Sequence, residues 1–320
     1  MDPALIGRFA QDLARIWPEA DQGQRRGAGQ ARLALAVSGG PDSVALLLLA
    51  HQALPGRVMA ATVDHRLRPE AAEEAAHVAR ICADLGVPHA TLPVDVADGN
   101  VQAQAREARY AALAGWMERE GLAALATAHH ADDQAETLVM RLNRGSGVAG
   151  LAGVRERALV PTTRWPLLRP LLGWRRAELA AIAAPCAPVQ DPSNENTAFD
   201  RVRIRQALAQ SDWVDVLAWA QAAAHLAEAD AALDWAAARE WAESVTRDAM
   251  GITYRPQAPR GVALRVVSRI VEELDGAARG GAIARLFDTL VARQPGSIGN
   301  LVVRPMPSGW SFAKAPKRRV

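Results

Sequence analysis

The chain has 320 residues, half of them hydrophobic, and a formal net charge of +2. That length allows one large domain or two unequal ones with a full-sized core, and the small net charge excludes a protein that binds nucleic acid electrostatically along its whole surface. The apolar run nearest the first motif, Val44–Ala50, falls far short of the ~20 residues of a membrane span, and Asp2, Arg8 and Asp12 interrupt any secretory leader.

Residues 1–20 predict an amphipathic helix, with Leu5, Phe9, Leu13 and Ile16 at helical spacing. Asp21 to Gln30 holds three glycines and predicts a loop. Leu33–Val37 is a short apolar run of buried-strand length that enters Ser38-Gly-Gly-Pro-Asp-Ser43 and then the apolar run Val44–Ala50. Strand, glycine turn and helix in that order suit a phosphate. Gly39 and Gly40 admit backbone conformations closed to other residues, and a chain without Cβ can approach a bulky anion. Pro41 and Asp42 fit a first helical turn, whose N–H groups point outward unpaired. Beside phosphate, the Asp42 carboxylate is tolerable only with a cation between them. The spacing is not that of the lysine-containing phosphate loop, and Lys314 and Lys317 are the only lysines of the chain. Phosphate contacts before residue 314 therefore fall to arginine, histidine or backbone. The plainer alternative is a tight turn in an α/β fold.

Val58–Asp64 predicts a second strand, His65 to Pro69 a loop and Glu70–Leu85 a helix ending at Gly86. Val87–Val94 is a third strand, and Asp98-Gly-Asn100 turns into a helix from Val101 to about Glu120. Leu122–Thr127 is a fourth strand, entering a helix over Asp132–Leu142. This alternation predicts a parallel sheet covered on both faces, with ligands beyond the carboxyl ends of its strands. Gly145 to Gly153 predicts a loop, Trp174 to about Ala184 a helix, and Gln190 to Arg205 a polar turn leading into another. Ser211–Val245 predicts a helical hairpin or a single alanine-rich helix. Beyond Gly251, short β-type runs (Val262–Val267, Leu301–Arg304, Trp310–Ala313) predict a smaller α/β unit. The expected organisation is thus an α/β domain over 1–215, followed over 216–320 by a helical linker and a small α/β domain.

Two more clusters carry chemistry. At the fourth strand-to-helix junction stand His129, His130, Asp132, Asp133, Gln134 and Glu136. Helix capping explains one aspartate there. Two histidines, three acids and a glutamine at a ligand edge exceed it, and the histidines suit phosphate, metal or proton transfer. Farther on, Asp191-Pro-Ser-Asn is turn chemistry. Arg201 and Arg205 share a helix face at i,i+4, with Arg203 between them. Guanidinium forks suit phosphate or a planar base, although a solvated basic face is the plainer reading.

Taken in order, Ser38–Ser43, Val63-Asp-His65, Gly99-Asn100 with Ala108-Arg-Tyr110, His130-x-x-Asp-Gln134, Arg144-Gly-Ser-Gly147, Arg169-Pro-Leu-Leu172 and Asp191-Pro-Ser-Asn with Arg201 and Ile204-Arg205 resemble the motifs of the tRNA(Ile)-lysidine synthetases, of the PP-loop ATP pyrophosphatase superfamily. The resemblance covers about residues 30–210 and weakens after 215. It implies ATP and Mg²⁺ as cofactors, free lysine as co-substrate, and a tRNA(Ile) with a CAU anticodon as partner. ATP would adenylate the C2 oxygen of cytidine 34, and the ε-amine of lysine would displace AMP. Carried over by position, Ser38, Gly39, Gly40, Pro41, Asp42, Ser43, Asp64 and His65 would bind the nucleotide, with Asp42 on the metal. Asp133 would orient or deprotonate the amine, Arg109 and Arg205 would stabilise phosphate and charge on the base, and His130 would contact the α-phosphate. Val202 departs from the family, which usually has Asn there.

The short apolar runs, the interrupted N-terminus and the isolated Cys82 and Cys186 lead to the expectation of a soluble, cytoplasmic, membrane-free protein, for which a homodimer is one arrangement. Other PP-loop enzymes are the nearest rivals. Cys82 and Cys186 are too far apart in sequence to suggest the sulfur chemistry of a thiolase, and no glutaminase-like region accompanies the motif. A tRNA-binding protein that has lost catalysis would show a damaged phosphate turn or acidic pair, and both are intact. For 216–320 the expectation is a tRNA-positioning role through Arg255, Arg260, Arg265, Arg269, Arg304, Lys314, Lys317, Arg318 and Arg319.

Overall fold

The computed structural model describes residues 1–21, 30–66, 70–95, 101–189, 200–249, 251–275 and 280–315. Gly99, Asn100, Asp191-Pro-Ser-Asn194, Lys317, Arg318 and Arg319 lie outside the described residues. The chain divides into two compact units, Met1–Ala227 and Glu228–Val320.

The first unit is built on a six-stranded sheet. Its strands are β1 (Leu33–Ala36), β2 (Val58–Asp64), β3 (His89–Pro93), β4 (Ala124–Ala126), β5 (Arg157–Leu159) and β6 (Pro166–Leu168), in the order β3-β2-β1-β4-β6-β5. All neighbours pair parallel except β5 with β6. The helices are α1 (Pro3–Ile16), α2 (Pro41–Ala53), α3 (Glu70–Leu85), α4 (Val101–Glu120), α5 (Ala131–Leu142), the single turn α6 (Val148–Leu151), α7 (Arg176–Ala183) and α8 (Asp200–Ala209). Strand alternation sends β1 side chains both ways. Leu33 and Leu35 pack with residues of α1, α2, α3 and α7, whereas Ala34 packs with Leu113 and Met117 of α4. Both faces are covered, so β1 and β4 read as continuous apolar runs.

α1 shows how sequence sets an element. The Asp2 carboxylate caps it by accepting the Ala4 N–H at 2.8 Å, and Phe9, Leu13 and Ile16 are buried on one stripe. Each such side chain contributes about 1.5–3 kcal/mol relative to exposure. The Trp174 indole N–H then donates to Asp12 at 2.9 Å and fastens this helix beside α7.

The chain leaves β1 toward β2 on one side, while β4 lies on the other side of β1. That reversal of strand order opens a crevice beyond the carboxyl ends of β1 and β4. The glycine turn follows β1, and the double histidine follows β4.

Residues 216–244 form one helix rather than a hairpin, α9 (Val216–Ser244), and the division between units falls within it. The second unit adds α10 (Arg260–Asp275), α11 (Gly280–Val291) and an antiparallel sheet of β7 (Val245–Asp248), β8 (Gly251–Tyr254), β9 (Gly296–Ile298), β10 (Leu301–Met306) and β11 (Gly309–Lys314), ordered β7-β8-β11-β10-β9. The expected strand at Val262–Val267 is part of α10. Its buried residues Val262, Val266, Val267, Ile270 and Val271 recur at helical spacing, and the last four meet Leu286 and Phe287 of α11 and Phe312 of β11 in one core. β-branched residues look like strand formers in a short window, and packing along a full helical stripe outweighs that preference.

Candidate active site

The phosphate turn is fixed from within. The Ser43 hydroxyl donates to the Gly40 carbonyl at 3.0 Å and accepts the Ser38 N–H at 3.1 Å. Gly39 has φ +92°, and a Cβ there would stand 3.3 Å from Val78 Cγ2 and 3.5 Å from Val189 Cγ2. Its positive φ requires glycine, and a Cβ would in addition be tight against Val78. Gly40 is the N-cap of α2 without a side-chain capping bond, and Pro41 opens the helix. The helix start is therefore free to offer its N–H groups and dipole to an anion.

His130, 3% exposed, is the N-cap of α5. Its Nε2 lies 3.5 Å from Asp42 and 3.5 Å from Asp133, and Nδ1 lies 3.7 Å from Asp132. Burial disfavours the imidazolium. The hydrogen bond to Asp42 and the charges of Asp133, Asp42 and Asp132 outweigh it, and the pKa lies above the ordinary histidine value. Nδ1 also lies 3.4 Å from the Asp133 N–H, a long contact that caps the helix in the neutral ring and is given up on protonation. Neighbouring His129 behaves oppositely. Burial, only partly offset by Asp133 and reinforced by Arg169, Arg109 and Arg201, pushes it down to about 4, and its Nδ1 shares a hydrogen bond with the Thr127 hydroxyl at 3.0 Å. One junction thus holds a cation-favouring ring beside a neutral one.

Glu136, 1% exposed, is answered by two arginines. Arg201 Nε donates to Oε2 at 2.6 Å, and Arg205 Nε donates to Oε1 at 2.6 Å. A second Arg201 nitrogen donates to Asp133 Oδ1 at 2.8 Å, and Asp133 Oδ2 accepts the His130 N–H at 3.1 Å. The i,i+4 pair on α8 thereby docks against the i,i+3 pair Asp133 and Glu136 on α5. Asp132 faces elsewhere, accepting from the Arg175 side chain and, at 2.8 Å, from the Arg176 N–H.

Asp133, Arg201, Arg205 and both histidines border a cleft of about 730 Å³. Of the residues expected from sequence, Ser38, Gly40, Pro41, Asp42, Ser43, His65, Arg109, His130, Asp133 and Arg205 line it. Gly39 and Asp64 do not. Gly39 forms the back of the turn, and Asp64 Oδ1 accepts the Arg66 N–H at 2.9 Å, steadying the loop that presents His65. Arg201 also lines the cleft, as its i,i+4 spacing with Arg205 suggested, although sequence gave it no separate role. Arg176, Val189 and Glu74 line it without having been expected. Val202 is buried, so the departure from Asn falls on a side chain that packs inward. Cys82 is buried with its thiol pushed up to about 11 by burial, and burial first, then Asp84, also raises Cys186. Neither is a ready thiolate.

Asp42 Oδ1 is buried without a hydrogen-bond partner, a cost of about 1–3 kcal/mol. A hard divalent cation prefers such an oxygen ligand. The residues present fit Mg²⁺ at this position. Among the described residues no group of three or more His, Cys, Asp or Glu is arranged as a metal cage.

A phosphate turn without lysine at the crevice of a parallel sheet defines a PP-loop, ATP-using protein, and a PP-loop domain model matches residues 9–212. The chain is 49% identical over 295 residues to a tRNA(Ile)-lysidine synthase of Novosphingobium aromaticivorans, covering 90% of each chain. It is 40% identical over 315 residues to one of Zymomonas mobilis subsp. mobilis, covering 95% of each. The chain belongs to the tRNA(Ile)-lysidine synthase family. In fold, it also resembles the U34-tRNA thiolase NcsA from Methanococcus maripaludis, with a TM-score of 0.54, 15% identity and coverage of 70% of this chain and 79% of that one. No helix among the described residues is long and apolar enough to cross a membrane.

Proposed function

We propose that this cleft ligates free lysine to C2 of cytidine 34 in the CAU anticodon of tRNA(Ile), at the expense of ATP cleaved to AMP and pyrophosphate. One observation carries the reading: the phosphate turn, the Asp42–His130–Asp133 cluster and the Arg201–Arg205 pair border a single cleft, in a chain of the lysidine synthase family.

Ser38, Gly39, Gly40, Pro41 and Ser43 form the turn that receives the phosphates, and His65, in the loop steadied by Asp64, borders the nucleotide just after β2. Held by Asp42, Mg²⁺ when bound would neutralise phosphate oxygens and favour departure of pyrophosphate. His130, whose neighbours favour its charged form, faces the α-phosphate. Cytosine C2 is a poor electrophile, and adenylation of its oxygen supplies an AMP leaving group. The base must be splayed from the anticodon loop, as single-stranded RNA bases are when read by proteins. Arg109 and Arg205 stabilise charge on phosphate and base. Asp133, held in place by Arg201, orients the attacking amine or takes the proton that the ε-ammonium gives up as the C–N bond forms and AMP leaves. Free lysine is the second substrate. A homodimer is compatible with this reading, and sedimentation velocity measures it.

In the second unit, the proposed tRNA-positioning role falls to exposed Arg255, Arg304 and Lys314. Arg260 is paired with Asp288, Arg265 with Asp230 and Asp234, and Arg269 lies 4.1 Å over the Trp241 ring.

The test is incubation of the protein with ATP, labelled lysine and tRNA(Ile) bearing a CAU anticodon. Label in the RNA, absent when cytidine 34 is replaced by uridine, is the expected result. Label in neither RNA refutes the reading.

A further inference from the structure

The phosphate turn has one joint that it does not secure by itself. The peptide between Gly39 and Gly40 joins two residues that rotate freely, and a glycine pair is where a peptide plane flips most easily. Because the unit is planar and trans, anchoring the Gly39 carbonyl also fixes the direction of the Gly40 N–H. That anchor comes from another segment: the Val189 N–H donates to the Gly39 carbonyl at 2.9 Å. Val189 Cγ2 also closes the space beside the Gly39 Cα.

Val189 lies on a strap that leaves α7 through a short 3₁₀ turn, Ala184–Cys186. The strap is strained. Ala187 has φ 45° and ψ 61°, a left-handed conformation that costs a residue with a Cβ roughly 1–2 kcal/mol. The following Pro188 disfavours it further by restricting the residue before it to extended backbone. Such a residue persists only where its surroundings over-determine it. Here the Ala187 N–H donates to the Ala184 carbonyl at 3.2 Å, and His77 Nε2 from α3 meets two carbonyls, Cys186 at 3.2 Å and Ala187 at 3.0 Å. With two carbonyls as partners, Nε2 is the donor. His77 itself does not line the cleft. Its α3 neighbours complete the arrangement, since Val78 closes on Gly39 from the other side and Glu74 borders the cleft.

We propose that His77 is a positioning residue for nucleotide binding: it holds the Cys186 and Ala187 carbonyls, this seats Val189, and the Val189 N–H locks the Gly39–Gly40 peptide in the orientation that receives phosphate. The inference deepens the reading of the turn as the ATP site and rests on it. From α3 the His77 imidazole supplies the hydrogen-bonded link to the strap.

The experiment uses the full-length chain and compares wild type, His77→Ala, His77→Gln and Val189→Pro. The ATP dissociation constant is measured by calorimetry, and KM is measured separately for ATP, lysine and tRNA. His77→Ala is expected to raise both the dissociation constant and the KM for ATP about tenfold while leaving the lysine KM unchanged, because the misplaced group is on the phosphate side alone. His77→Gln carries an amide with two N–H groups at similar reach and is expected to recover most of that loss. Val189→Pro deletes the donor to Gly39 directly and should weaken ATP without any change at His77. Circular dichroism and thermal melting confirm that each variant is folded, and a variant that does not fold leaves the decision to the other two. Unchanged ATP affinity in folded His77→Ala or Val189→Pro overturns the proposal, as does His77→Gln behaving no better than Ala. If wild type itself fails to bind ATP, the reading of the turn fails first, and that outcome is distinct from a variant that matches an active wild type.

Discussion

Two buried glutamates, one in each unit, do different work. Glu136 in the first unit is 1% exposed, and its partners are the charged side chains of Arg201 and Arg205, which continue into the cleft. Glu240 in the second unit is 6% exposed, and its Oε1 accepts from the Tyr254 hydroxyl at 3.0 Å and from the N–H groups of Gln257 at 2.7 Å and Ala258 at 3.2 Å. The Tyr254 hydroxyl is correspondingly hard to ionise, through burial first and then the bond to Glu240. One carboxylate arranges cations around a ligand space. The other ties a loop to a helix and faces nothing reactive. Burial of a charge therefore says little about function until its partners are followed outward.

The same substitution at both positions tests this contrast hardest. Glu136→Leu frees Arg201 and Arg205 and is expected to lower turnover about a hundredfold, the scale of losing one preorganised charge group in a site. Its effect on melting is modest, because both arginines reach the cleft and can be solvated there. Glu240→Leu strands the buried Tyr254 hydroxyl, at about 1–3 kcal/mol for a buried orphan, and leaves the half-buried N–H groups of Gln257 and Ala258 to water. It is expected to lower the melting temperature by roughly 10 °C while the folded fraction turns over normally. Turnover and melting curves on both variants check the pair, and equal loss of activity at the two sites would erase the contrast.

A smaller effect is expected where the second unit presents charge outward. Arg304→Ala with Lys314→Ala should weaken tRNA binding a few-fold and reduce the slope of log affinity against log salt by about two, one for each phosphate left without its cation. ATP affinity should not change. Filter binding across a salt series reads both quantities, and an unchanged slope would confine RNA binding to other residues.

A further effect, confined to acid pH, is expected on stability. His129 is held near 4 in the fold against 6.5 for the unperturbed side chain. As pH falls from about 6.5 toward 4, the unfolded chain binds this proton and the folded chain does not, so stability declines over that window. His129→Asn removes the titration. Its melting temperature, compared with wild type at each pH, should rise as pH is lowered from 7 to 4.5, and a constant difference would contradict the assignment.

Much of the site was legible because its parts are local. Ser38–Ser43 and the run from His129 to Glu136 each combine a strand end, a turn and a helix start within a dozen residues. Parallel pairing then brings the two junctions to one edge. What escaped depended on distance. Val189 and Arg176 reach the cleft from segments whose own sequence shows no chemistry. β5 and β6 are three residues each and exist through pairing at the sheet edge, so no periodicity could mark them. In the second unit, β7 and β8 pair antiparallel, but Thr246, Arg247 and Asp248 are exposed, leaving no apolar alternation to read. The helical stripe of α10 was hidden by its valines.

In the proposed reaction the phosphate turn serves cleavage between the α- and β-phosphates: adenylation of the base releases pyrophosphate, and attack of the amine at C2 then releases AMP. The most direct measurement is the nucleotide product per lysine attached to tRNA. One AMP and one pyrophosphate for each lysine incorporated is the predicted result, and ADP with inorganic phosphate as the stoichiometric products would contradict it.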